Sequence, residues 1–132
     1  MLSLNDPIAF IPIIDADRSR QFYVEILGLN LLSDDGFAVV LRSGAIDVRL
    51  VRMGSFSPTP YTIFGWKVPE IGIAIRELSQ LGISFERYPF LEQDATGIWS
   101  APGGAAQVAW FKDPDGNILS ISQHVESPAG QI

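Results

Sequence analysis

Apolar and polar positions change period several times along the chain, and each change marks an element. Ile8 to Ile14 is a continuous apolar run, Ile-Ala-Phe-Ile-Pro-Ile-Ile. It is too short for a helix, and Pro12, which lacks an N–H, suits an edge strand or a bulge. Asp15 then stands where an N-cap belongs and Asp17 falls in the first turn. Phe22, Tyr23, Ile26 and Leu27 recur at helical spacing until Gly28 ends the run. Phe22 and Tyr23 read as core residues of that amphipathic helix. Three short strands follow: Leu29 to Leu32, Phe37 to Arg42 beyond the Asp35-Gly36 turn, and Ile46 to Arg52 beyond the Ser43-Gly44 turn.

Met53 to Pro60 reads as a connector, and what lies beyond it repeats the same order. Tyr61 to Val68 predicts a strand. Pro69 and Glu70 open a helix whose apolar face is Ile71, Ala74, Ile75, Leu78 and Leu81. Leu81-Gly82 ends it as Leu27-Gly28 ended the first, fifty-four positions earlier. Ile83 to Tyr88 predicts another strand, followed by a long loop from Pro89 to Ala106. Gln107 to Phe111 and Ile118 to Gln123 then form a hairpin around Asp113-Pro114-Asp115-Gly116-Asn117, a sequence rich in turn formers. Tyr61 and Trp66 read as core or module-packing residues. The chain therefore reads as strand-helix-strand-strand-strand twice. One such half leaves a sheet face uncovered, so two of them, side by side and curved, are expected to enclose a cleft.

Composition narrows the chemistry. With 132 residues, 47% of them apolar and 18% charged, the chain has room for one ordinary domain with a self-sufficient core. There is no cysteine, which removes disulfides, zinc-thiolate sites and thiol nucleophiles, and His124 is the one histidine. Scattered charges summing to −6 argue against nucleic acid as a partner. No apolar run approaches a membrane span and the N-terminus lacks a basic n-region, so a soluble, cytoplasmic protein without membrane partners is expected.

Two stretches carry a family likeness. Asp15 to Leu29, with Phe22-Tyr23 followed by Leu27-Gly28-Leu29, and Trp110 to Ile121, with the Asp113-Pro114-Asp115-Gly116-Asn117 turn, resemble the vicinal oxygen chelate superfamily of glyoxalases, bleomycin-resistance proteins and extradiol dioxygenases. The resemblance spans nearly the whole chain. It implies an α+β fold in which two βαβββ modules form a curved eight-stranded mixed sheet around a cleft, with helices on the outer face. Module one would cover 7–52, the linker 53–60, module two 61–124 and a frayed tail 125–132, all in a single glyoxalase-like domain. It also implies a homodimer, with Met53 and Phe56 of the linker available for contacts.

The resemblance further implies a divalent metal held by His, Glu or Gln on inward-facing strand positions. In this chain those positions fall at Ile8, at or near Arg49, at Ile63 or an immediate neighbour, and at Ser120. Isoleucine cannot ligate and arginine repels a cation, so no metal and no cofactor are expected. Asp47, Glu86 and His124 share no register that would replace them. The cleft becomes an apolar pocket for a small molecule, with Ile8, Phe10, Arg49, Ile63, Trp99 and Ser120 as candidate ligand-binding residues. Arg49 either pairs with Asp47 or Glu86, or is simply exposed on an edge, or faces the cleft, where it favours a carboxylate, phosphate or enolate-like ligand. Trp99 either stacks on a flat ligand or anchors its loop. Two functions stay open: a metal-independent binding protein, or a lyase, isomerase or dioxygenase acting on a small oxygenated metabolite through a non-standard site.

Overall fold

The computed structural model of the protein describes residues 1–125. The expected tail lies outside the described residues from position 126 on. Two compact units are present. The first comprises Met1–Thr59 together with Asp113–Asn117, and the second comprises Pro60–Lys112 with the chain from Ile118 onward.

In the first unit, β1 (Ile8–Ile13) leads into α1 (Ala16–Arg20), followed by β2 (Asn30–Asp34), β3 (Ala38–Ser43) and β4 (Ile46–Arg52). The sheet order is β1-β4-β3-β2, with β1 parallel to β4 and the other pairs antiparallel. Pro12 is tolerated because β1 is an edge strand. Asp15 caps α1 by accepting from the Arg18 N–H at 3.1 Å. The expected single helix then changes pitch. Gln21–Ile26 is a π-helix, closed by the Leu27 N–H donating to the Phe22 carbonyl at 2.9 Å. This wider turn accompanies burial of two adjacent rings, Phe22 and Tyr23, which meet edge to face at 5.1 Å.

The second unit repeats the topology. Its elements are β5 (Thr62–Lys67), α2 (Ile71–Gln80), β6 (Trp99–Ser100), β7 (Ala106–Lys112) and β8 (Ile118–His124), in sheet order β5-β8-β7-β6. Again the first strand lies parallel to the last. Each unit is thus a βαβββ module with a four-stranded mixed sheet. In both sheets one set of alternate positions is buried: Ile11, Ile13, Val39, Leu41, Val48 and Leu50 in the first, and Ala109, Phe111, Leu119 and Ile121 in the second.

Three expectations from the sequence are corrected. Helix α2 begins at Ile71 rather than Pro69, with Glu70 as N-cap residue, because Gln123 Oε1 on β8 accepts the Ile71 N–H at 2.9 Å. Of the two places open to Tyr61, core or module packing, its 63% exposure removes the core. Ile83 to Tyr88 does not form a strand and contributes only a bridge between Phe85 and Phe111. The place beside β7 belongs to β6 instead. Gln93 supplies the reason, since its side chain accepts from the Tyr88 N–H at 2.7 Å and donates to the carbonyls of Glu86 and Gly97 at 2.9 and 2.8 Å. One amide side chain satisfies backbone groups that a ladder would otherwise pair.

The Asp113–Asn117 turn makes bonds that its local composition does not reveal. Asp113 Oδ1 accepts the N–H groups of Asp115 and Asn117 at 2.9 Å, as turn chemistry requires. Asp113 Oδ2 accepts from Tyr23 Oη at 2.7 Å and Asn117 Nδ2 at 2.9 Å, and Asn117 Nδ2 also donates to the Pro12 carbonyl. Asp115 takes the Arg18 guanidinium at 2.7 Å and the Ser19 hydroxyl at 3.3 Å. Asp113, Asn117 and Ser19 are buried, so each must be bonded within the protein. Burial, and then the adjacent Asp113 charge, push the Tyr23 phenol well above the ordinary tyrosine range.

Asp113→Ala leaves four donors without their acceptor and is expected to cost about 3 kcal/mol or more by urea unfolding. Because Tyr23 stays protonated in the fold while the unfolded chain ionises near its usual pKa of about 10, the stability it contributes is complete below pH ~10 and is lost above it. Between pH ~10 and 12 the unfolding free energy of Tyr23→Phe should therefore fall less steeply than that of the wild type, by about 1.4 kcal/mol per pH unit. At Gly65, an added Cβ would collide with Ser120 Oγ and come within 3.0 Å of the Ser120 carbonyl. Gly65→Ala should cost about 1–3 kcal/mol, and Ser120→Ala in the same chain should recover part of that loss.

Candidate functional site

The positions that alternate with the buried ones form the open face of each sheet, and the candidate residues are distributed over these faces. In the first unit Ile8 and Phe10 are 50% and 63% exposed on β1. Arg49 on β4 is half-buried, with Phe10 opposite it on β1 and Val40 opposite it on β3. Ile8 stands opposite Asp47. Asp47 is engaged by Arg42 at 2.9 Å, across the β3–β4 pair. Glu86, the other partner considered for Arg49, pairs with Lys112 at 3.4 Å. Arg49 makes no hydrogen bond or ion pair among the described residues. Its charge does reach Asp35, whose carboxyl is held below its ordinary range first by the N–H groups of Ala38 and Phe37 and, more weakly, by Arg49.

In the second unit Ile63 occupies a bulge in β5, between Thr62 and Phe64 in the register with β8. Ser120 is half-buried on β8, between Gly65 and Trp110 on its neighbours. Gly65 is what lets the backbone come this close to Ser120. Trp99 lies on the short edge strand opposite Val108. Its ring is 6.2 Å from that of Trp110, and Tyr88 meets Trp110 edge to face at 5.7 Å. Trp110 Nε1 donates to Thr62 Oγ1 at 3.0 Å, and the exposed Phe90 ring lies 5.5 Å from Tyr88. A groove of about 560 Å³ runs beside this cluster, lined among others by Phe90, Gln93, Ile98 and Trp99. Tyr88 Oη is buried and has no hydrogen-bond partner among the described residues. Burial, and then the Glu86 charge, raise the Tyr88 phenol above its ordinary range.

Trp110 and Tyr88 are functional candidates that the sequence reading passed over. The alternation of buried Ala109 and Phe111 with Trp110 was a usable signal for its facing the same way as Ser120. No comparable signal exists for Tyr88, because its segment is held by the Gln93 side chain rather than by a ladder.

The donor set fits a divalent metal poorly. Ile8 and Ile63 have no lone pair to offer, Arg49 is cationic, and Ser120 alone is a weak ligand. The two nearby acids considered in their place are drawn elsewhere, Asp47 to Arg42 and Glu86 to Lys112. His124 is exposed and bonds Ser122 Oγ at 2.9 Å. Among the described residues, no three His, Cys, Asp or Glu side chains lie together in a way that could hold a metal ion. No helix among the described residues is long and apolar enough to cross a membrane.

Comparison with known proteins agrees with this architecture. A glyoxalase-family protein from Sphaerobacter thermophilus has a similar structure, with a TM-score of 0.70 and 22% identity over 90% of this chain and 96% of that one. A glyoxalase/bleomycin resistance protein/dioxygenase from Alicyclobacillus acidocaldarius gives a TM-score of 0.69 at 21% identity, covering 96% of both chains. An antibiotic-binding protein from a Streptomyces species gives 0.66 at 18% identity, covering 92% of this chain and 96% of that one. At these identities the likeness is one of fold. No curated protein matches in sequence. The sequence profile of the glyoxalase/bleomycin resistance protein/dioxygenase superfamily matches residues 6–121, and the chain belongs to that superfamily.

Proposed function

We propose that the protein binds a small, flat organic molecule on the open faces of its sheets, without a metal. The observation that carries this reading is the chemistry at the positions where the family places ligands. Ile8, Arg49, Ile63 and Ser120 cannot assemble a coordination sphere, and aromatic surface stands beside Ser120 in its place. Trp99, Trp110, Tyr88 and Phe90 offer ring faces and edges on which a planar ligand can stack. Binding rather than turnover also fits the antibiotic-binding protein of similar fold. In this reading the chain works in the cytoplasm as a homodimer, with Met53 and Phe56 of the connector among the contact residues.

Protein treated with a chelator is expected to show saturable quenching of tryptophan fluorescence, and a rise in melting temperature, with at least one member of a panel of two- and three-ring aromatic compounds. Trp99→Ala should weaken that binding by about tenfold, the value of one lost aromatic contact of about 1.4 kcal/mol. A stoichiometric divalent metal in the purified protein, whose removal abolishes binding, would overturn the proposal. So would the absence of saturable binding across the whole panel.

A further inference from the structure

Arg49 is an unusual residue to leave on a half-buried sheet face. Its strand β4 lies between β1 and β3, so its side chain stands in a cross-strand row with Phe10 on one side and Val40 on the other. The same-face neighbours two residues away on β4 are Asp47 and Val51. Asp47 is committed to Arg42, and both Asp47 and Arg49 are half-buried. Asp35 lies within range of the Arg49 charge, but its Oδ1 is occupied by the Phe37 and Ala38 N–H groups at 2.9 and 3.0 Å. The five guanidinium donors of Arg49 therefore have no acceptor among the described residues, while its lateral neighbours are apolar. A guanidinium partly withdrawn from water normally has a partner, because desolvation without one is costly. A rigid planar fork is also the side chain best matched to a planar oxyanion.

We infer that the open face of the first module recognises an oxyanion attached to an aromatic ring, with Arg49 gripping a carboxylate and the 63%-exposed Phe10 packing against the ring. This deepens the proposed function and rests on it. It gives the ligand a sign of charge opposite to that favoured by the protein's net charge of −6, which weakens general attraction of anions and leaves selection to this one residue.

The test compares 2-naphthoate with its neutral near-isostere 2-naphthamide on wild type and Arg49→Gln. Wild type is expected to bind the carboxylate about tenfold or more tightly than the amide, the value of a charge-assisted hydrogen bond. Arg49→Gln is expected to erase that preference by losing far more carboxylate than amide affinity, with the melting temperature nearly unchanged, since Arg49 has no hydrogen bond or ion pair to lose among the described residues. Should that variant fail to fold, Arg49→Lys, which keeps the charge but not the planar fork, takes its place and must narrow the preference. Equal affinity for the two probes, or a preference that survives in Arg49→Gln, overturns the oxyanion inference and leaves the binding function standing. If neither probe binds while other aromatics do, the oxyanion inference again falls alone. If no aromatic binds at all, both readings fall.

Discussion

The buried carboxylate of Asp113 is the interaction on which the first module depends. A carboxylate out of water is tolerated only when its lone pairs are met, and here a phenol, an amide and two backbone N–H groups meet them. Two of those donors are themselves fixed by something else. Tyr23 is held in a π-helical turn beside Phe22, and Asn117 also reaches the Pro12 carbonyl of β1. A segment ninety residues away in sequence from Tyr23 is thereby part of the compact unit that contains Tyr23. The Asp-Pro-Asp-Gly-Asn sequence thus does two things at once: it makes a tight hairpin, and it presents side chains that the first module requires.

The two modules share a strand order but not the devices that hold their loops. In the first, the helix is capped by its own Asp15 and the strands are joined by short turns. In the second, the helix takes its N-terminal acceptor from Gln123 on the last strand, and Gln93 gathers backbone groups of Glu86, Tyr88 and Gly97. The consequence is that the second module's outer strand is reduced to Trp99–Ser100, and the chain before it is free to place Tyr88 beside Trp110 and Phe90 beside Tyr88. The aromatic surface is thus a by-product of how that loop is satisfied.

Chemistry is divided between the faces of each sheet. The buried faces carry aliphatic and aromatic packing, including Phe64, Trp66 and Phe111 in the second module. The open faces carry residues that core packing does not require: Phe10 and Arg49 on one sheet, Ser120, Trp110 and Trp99 on the other. Belonging to a superfamily that includes metal enzymes does not by itself settle what these faces do, because function follows from the groups present at a site.

Much of the fold was legible in the sequence, because its signals are local. The apolar run of β1 with its edge proline, the Asp15 cap, the two Leu-Gly helix ends and the turn formers of the last hairpin all act through a residue's own backbone or its near neighbours. The same is true of the lack of ligating side chains at Ile8 and Ile63, which identity alone decides. Other features needed the folded chain. The π-helical turn accompanies the burial of Phe22 and Tyr23, the strand expected at 83–88 gives way to side-chain bonds from Gln93 that no periodicity announces, and the start of α2 meets an acceptor on Gln123, distant in sequence. Only tertiary structure could also assign Asp47 to Arg42 and Glu86 to Lys112, leaving Arg49 without an acceptor among the described residues. Periodicity places a residue on a face, whereas the partner it meets there is decided by strand register and by competition among side chains that only the assembled sheet brings within reach.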